Sequence, residues 1–202
     1  MPLRCREIER MGLVTIGQTL TAADRALEMK VGDAERVLKD ATNTTRNSFD
    51  IFLSHSKMDD RYVLGAKQIL EEKGYSVYVD WIDDRQIDRS KVNKLTADYL
   101  RNRMRQCALM FYLHTQNASL SKWCPWELGF FDGHSRSQPR TFVFPLVYSG
   151  ETFTGQEYLE LYPVVDIDNV GRVAVDRSDV WAKFSTTERR FRQMSSILSE
   201  AC

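Results

Sequence analysis

Cys107-Ala108-Leu109-Met110-Phe111-Tyr112-Leu113 is the stretch that decides the fold. Seven apolar residues in a row leave no polar face. A strand with two apolar faces belongs at the centre of a parallel sheet covered by helices on both sides. The flanking sequence keeps that rhythm. Upstream, Phe49-Asp50-Ile51-Phe52-Leu53 is a short apolar run that stops at Ser54-His55-Ser56. A helix is expected over about 59–73, with Val63, Ala66, Ile69 and Leu70 inward and Gly74 as its stop. Tyr75–Val79 reads as the second strand, Asp80–Arg89 as a long charged loop, and Ser90 as the cap of a helix carrying Val92, Leu95, Tyr99 and Met104. Downstream, Thr141–Val147 reads as the fourth strand, with Pro145 tolerable only near its end because proline removes a ladder donor. Gly155–Leu161 suits a short helix and Pro163–Ile167 a fifth strand.

Strands alternating with helices imply an α/β protein with a parallel sheet. Five strands in this pattern suit a flavodoxin-like order, 2-1-3-4-5, with helices on both faces. Three segments are expected. Residues 1–47 form an N-terminal helical extension and linker, 48–168 the main domain, and 169–202 a C-terminal helical segment packed on it. In the extension, Leu27, Val31, Ala34 and Leu38 recur at helical spacing. They predict one amphipathic helix over roughly 22–40, capped by Thr21 with Asp24 and weakened at Gly32. Periodicity leaves open whether that helix packs on the domain or is free for a partner. Val180, Trp181, Phe184, Phe191, Met194 and Leu198 predict one or two closing helices.

With 28 basic and 28 acidic residues among 202, the formal net charge is zero, so no general electrostatic case exists for nucleic acid or an anionic membrane. Cys5, Cys107, Cys124 and Cys202 lack paired metal-ligand spacing, so no metal site is expected and Cys107 reads as a core thiol. That usage fits a reduced, cytoplasmic protein. Residues 1–20 lack a continuous apolar stretch, so no secretory signal is expected, and no run reaches transmembrane length.

In open α/β sheets ligands bind beyond the carboxyl ends of the strands, at the switch in strand order. Strand one ends in Ser54, His55 and Ser56, strand two in Asp80 and Trp81, and strand three in His114 and Thr115. After strand three comes Ser119-Leu-Ser-Lys-Trp-Cys-Pro-Trp-Glu-Leu-Gly-Phe-Phe-Asp132, which has the marks of a helix start. Ser119 or Ser121 can cap it, and Pro125 fits only its first turn. Trp123 and Glu127 stand four apart and share a helix face, which would set Glu127 at the mouth of a cleft.

Residues 49–56, Gly-Tyr-Ser-Val-Tyr-Val-Asp at 74–80, and Ser-Lys-Trp-Cys-Pro-Trp-Glu-Leu-Gly at 121–129 resemble the three signature boxes of a bacterial TIR (Toll/interleukin-1 receptor) domain, in order and spacing. The resemblance spans about residues 48–168. It implies the same flavodoxin-like sheet and a possible activity. Many TIR domains of bacteria and plants, and the animal axon-degeneration enzyme, cleave NAD+ to nicotinamide and an ADP-ribose product. In those enzymes the glutamate of Trp-x-x-x-Glu is essential; here that pattern is Trp123–Glu127. A short helical piece before a single TIR domain further resembles the stand-alone TIR proteins of Thoeris antiphage defence, whose nucleotide product activates a separate effector. The resemblance also implies self-association through TIR surfaces, and a loop equivalent to Asp83–Arg89 that gates the pocket.

Cleaving the nicotinamide–ribose bond passes through an oxocarbenium-like state, and nicotinamide leaves NAD+ as a neutral molecule. One carboxylate near the ribose could therefore suffice, with NAD+ as substrate and no resident cofactor. Glu127, near a helix N-terminus, is the candidate. Trp81 or Trp123 could stack on a ring, the Ser54–Ser56 backbone could hold phosphate, and Arg85 could pair with it. His55 and Asp80 complete the expected rim. The competing reading makes Glu127 a capping-box partner of its own helix and the protein a TIR adaptor without chemistry. A phosphoryl receiver is disfavoured because His114 stands where its strand-three carboxylate would be. A nucleoside deoxyribosyltransferase, which shares the sheet and a glutamate, is a distant alternative.

Overall fold

The computed structural model describes residues 12–29, 32–42, 47–80, 94–134, 139–168, 170, 179–184 and 190–201. In chain order come α1 (Ile16–Glu28), α2 (Ala34–Thr42), β1 (Phe49–Ser54), α3 (Asp60–Glu72), β2 (Val77–Val79), α4 (Lys94–Arg105) and β3 (Cys107–His114). Then follow α5 (Gln116–Leu120), α6 (Cys124–His134), β4 (Thr141–Pro145), β5 (Val164–Ile167), β6 (Val180–Phe184), β7 (Arg190–Gln193) and α7 (Met194–Ala201). Short 3-10 turns lie at Lys57–Asp59 and Glu157–Leu161.

The sheet order is β2-β1-β3-β4-β5-β6-β7. Strands β1 to β5 pair in parallel in the expected 2-1-3-4-5 order. Strands β6 and β7 then extend the sheet antiparallel beyond β5. This corrects the expected five strands and the all-helical C-terminal segment. Val180 and Ala182 are buried while Trp181 and Lys183 are not, the period of two of a strand, which shows in the burial and not in so short a run of sequence. Only Met194 and Leu198 of the expected closing residues lie on a helix.

Strand β3 behaves as its sequence demands. Leu109, Phe111 and Leu113 enter one core layer and Met110 and Tyr112 the other. Pro145 is the last residue of β4, where its missing N–H disturbs little. Gly74 closes α3 with φ of 87°, a left-handed value that glycine adopts without a Cβ clash. Cys107 is buried, and burial pushes its thiol up to about 12, as befits a core thiol.

The expected single helix at 22–40 is two helices. Thr15, not Thr21, caps α1: its hydroxyl accepts from Gln18 N while Gln18 Oε1 accepts from Thr15 N. That reciprocal pair is a full capping box. Thr21 sits inside α1 with its hydroxyl donating to Gly17 O. Gly32, at φ 140°, marks the break, and Asp33 Oδ1 accepts from Arg36 N to start α2.

Both helices share the core rather than standing free. Ala22, Ala23 and Ala26 of α1 are buried against α3, and Val37 and Leu38 of α2 join the same layer. A Cβ on Gly65 of α3 would meet Thr19 O at 1.9 Å, so this close helix crossing needs glycine. Arg25 and Glu72 pair across it at 2.9 Å. The segment before α1 adds to the sheet's rim: Ile16 N donates to Val147 O at 2.8 Å, and Val147 N to Val14 O at 3.2 Å. Among the described residues no helix is long and apolar enough to cross a membrane.

Candidate active site

Two elements meet at the carboxyl end of β1. Along β1, Ile51 and Leu53 face the α1/α3 layer, so Phe52 and Ser54 face the other side, under α6. Helix α6 begins where its sequence says it should. Ser121 Oγ accepts from Trp123 N at 3.2 Å and Cys124 N at 3.3 Å, and Pro125 lies in the first turn. Glu127 N donates to Trp123 O, which fixes the turn that carries the carboxylate. Ser54 Oγ donates to Glu127 Oε2 at 2.6 Å, and both residues are 1% exposed. At that distance the hydroxyl and the carboxyl oxygen form a short hydrogen bond.

The surroundings are apolar and aromatic. The Tyr112 phenol is pushed well above its ordinary range, first by burial, with the charge of Glu127 among the smaller causes. Trp123 is buried in the layer with Leu100, Tyr112 and Leu128, with Trp126 edge-on at 5.3 Å. Trp126, Phe130 and His134 then stack successively along α6, and the Arg101 guanidinium of α4 lies 5.2 Å from the Trp126 ring centre. This column ties α6 to α4 and sets the rotation at which Glu127 faces β1.

His55 is buried and its Nδ1–H donates to Leu53 O at 2.8 Å, which places a proton on Nδ1 because a carbonyl only accepts. Asp80 is buried at the end of β2, where its charge adds to the raised pKa of Tyr78. Trp81 and Arg85 lie outside the described residues, as does the Asp83–Arg89 loop. Ser54, Glu127 and Trp123 thus converge on the β1–α6 junction, while His55 and Asp80 cap the neighbouring strand ends.

The expectation that Glu127 stands at an open mouth needs correction for the described residues. A cavity of about 440 Å³ does open at this rim, but it lies between the ends of β3 and β4, and Glu127 does not line it. Asp59 on its floor was not foreseen. Its oxygens accept from Thr115 Oγ1 at 2.5 Å and Asn117 Nδ2 at 2.6 Å. An isolated aspartate just before a helix reads as a cap, so no signal in the sequence marked that wall. Among the described residues no cluster of three or more His, Cys, Asp or Glu could hold a metal ion.

Parallel strands in the order 2-1-3-4-5, with a glutamate in the first turn of α6 between β3 and β4, place the chain in a known class. The TIR domain family matches residues 51–187, and this chain belongs to it. Among its relatives is a Bacillus cereus (strain MSX-D12) protein provisionally named 3' cyclic ADP-D-ribose synthase ThsB'. The two are 43% identical over 164 residues, covering 79% of this chain and 82% of the relative. A Cytobacillus dafuensis protein provisionally named cyclic ADP-D-ribose synthase TIR2 is 27% identical over 92 residues, covering 44% of this chain and 24% of that one.

Proposed function

We propose that this protein is an enzyme that cleaves the nicotinamide–ribose bond of NAD+ and closes the remainder into a cyclic ADP-ribose. The observation that carries the reading is the Ser54–Glu127 pair, 2.6 Å across the β1–α6 junction. The names of the two relatives support the cyclic product.

The chemistry needs little machinery. The C1'–N bond breaks, its electron pair leaves with neutral nicotinamide, and positive charge develops on the ribose. Glu127 stabilises that charge and accepts a hydrogen bond from a ribose hydroxyl. Ser54 Oγ now occupies such a donor position, so its hydroxyl stands in for the sugar's. A hydroxyl elsewhere in the ADP-ribose then bonds to C1' and loses its proton to solvent, closing the ring. If water takes that place, the product is linear ADP-ribose and the enzyme is a hydrolase. Buried aromatic walls keep water scarce and favour ring closure.

On this reading NAD+ is a substrate and the protein carries no resident cofactor. Trp123, His55, Asp80, Trp81 and Arg85 form the wider binding rim. The protein acts in the cytoplasm in antiphage defence, self-associates through TIR surfaces, and signals through its product to a separate effector.

Purified protein incubated with NAD+ is expected to release nicotinamide, with a cyclic ADP-ribose isomer identified by mass spectrometry. One observation favours the adaptor reading instead: Glu127 is almost fully buried and its carboxylate is engaged by Ser54. Absence of nicotinamide release, even in crowding agents and phage lysate that promote assembly, would decide for the adaptor.

A further inference from the structure

The cavity between the ends of β3 and β4 is separate from the Ser54–Glu127 pair. None of Ser54, His55, Asp80, Trp123 or Glu127 lines it. We propose that it is a second ligand site, selective for a phosphate-free nitrogen heterocycle of nucleoside size. The inference does not depend on NAD+ cleavage.

Its volume of about 440 Å³ falls within the range of small-molecule sites, roughly 300–1,000 Å³. Charge decides what it refuses. Asp59 is buried in the wall and held by Thr115 and Asn117, and Glu151 stands exposed at the rim. No lysine or arginine among the described residues lines the cavity. Among the described residues, a phosphate entering would meet two carboxylates and no cation. A cation is not the natural occupant either, because both oxygens of Asp59 are already taken by hydrogen-bond donors.

Shape and polarity decide what it accepts. The His114 and Phe153 rings meet edge to face with centroids 4.9 Å apart, and Tyr62 and Tyr148 add further rings to the lining. Flat aromatic walls suit a flat ring. Burial lowers the His114 pKa, so at neutral pH its imidazole is uncharged and offers one donor and one acceptor. The amide of Gln116 and the hydroxyl of Thr152 can also address a ring edge. One wall is Ile16, whose N–H is bonded to Val147 O, so the start of α1 is pinned as part of the cavity.

The test uses the full chain with adenosine as probe and AMP as its phosphate-bearing counterpart. Only three histidines are present, so the His114 ring proton can be followed by NMR. Adenosine is expected to shift the His114 signal saturably while the exposed His134 stays in place. AMP should bind at least about tenfold more weakly. Phe153→Ala should weaken adenosine about tenfold by removing a stacking wall. Glu151→Lys should tighten AMP binding while adenosine binding is retained, a gain that a misfolded variant could not produce. No saturable shift at His114, binding detected by calorimetry without that shift, equal affinity for AMP, or unchanged affinity in Phe153→Ala each overturns the proposal. Because no turnover is measured, a negative result here leaves the catalytic reading standing, and an inactive enzyme leaves this one testable.

Discussion

Ser54 Oγ and Glu127 Oε2 lie 2.6 Å apart although their residues are separated by 73 positions in sequence. The pair joins the end of β1 to the first turn of α6. Glutamine at position 127 keeps an oxygen that can accept from Ser54 but loses the negative charge. Glu127→Gln is therefore expected to lower nicotinamide release by about 10³ or more with an unchanged circular dichroism spectrum. Full activity in that variant would remove Glu127 from the mechanism. Ser54→Ala leaves a buried carboxylate short of one donor, so urea unfolding should show a loss of about 1–3 kcal/mol.

Gly65 allows α1 to cross α3 at backbone contact. A methyl group there would lie 1.9 Å from Thr19 O, a backbone atom that can retreat only if the helices part. Gly65→Ala is expected to destabilise the protein by about 3 kcal/mol. Hydrogen exchange should show the loss concentrated in α1. A stability within experimental error of the parent would mean that the extension is not packed as described.

Asp166 on β5 has its pKa raised to about 6, first by burial and then by Asp168, with Lys183 and the backbone N–H groups of Gly12 and Ile167 acting the other way. Its folded pKa therefore lies above the unfolded one, near 4. Between those values the native state binds more protons than the unfolded chain, so stability falls as pH rises from about 4 to 6. Above that window the ionised carboxylate carries its full cost, on the order of 2–3 kcal/mol. Asp166→Asn should abolish this contribution to the slope, as urea midpoints at pH 4.5 and 6.5 would reveal. An identical pH profile in both proteins would contradict it.

Arg101 lies over both Trp126 and Phe130, at 5.2 and 5.8 Å from their ring centres. It is partly exposed and also pairs with Asp98 at 2.8 Å. Removing it should cost about 1 kcal/mol of stability. Since the column orients α6, Arg101→Ala should also reduce kcat more than it alters KM, whereas Arg101→Lys should recover part of the loss. An effect on KM alone would argue that Arg101 contacts substrate instead.

Some of this architecture is legible locally and some is not. The apolar run Cys107–Leu113 required two covered faces whatever the rest of the chain did, and the helix start at Ser121–Glu127 followed from a cap, a proline and spacing. The extension misled because Thr21–Asp24 and Thr15–Gln18 both look like caps, and only side-chain geometry shows which pair reciprocates. The last strands misled because Val180–Phe184 is too short for periodicity to separate two from 3.6.

By itself the sequence determined the order of strands β1 to β5, because hydrophobic periodicity acts over a few neighbouring residues, while the boxes at 49–56, 74–80 and 121–129 carried the family resemblance and marked Glu127. Tertiary structure alone decided that Glu127 meets Ser54, that α1 seals one face through Gly65, and that a hollow opens between the ends of β3 and β4, away from that pair. Those relationships depend on which faces of distant segments come together when the sheet is covered. No spacing along one chain encodes such a distance between two others.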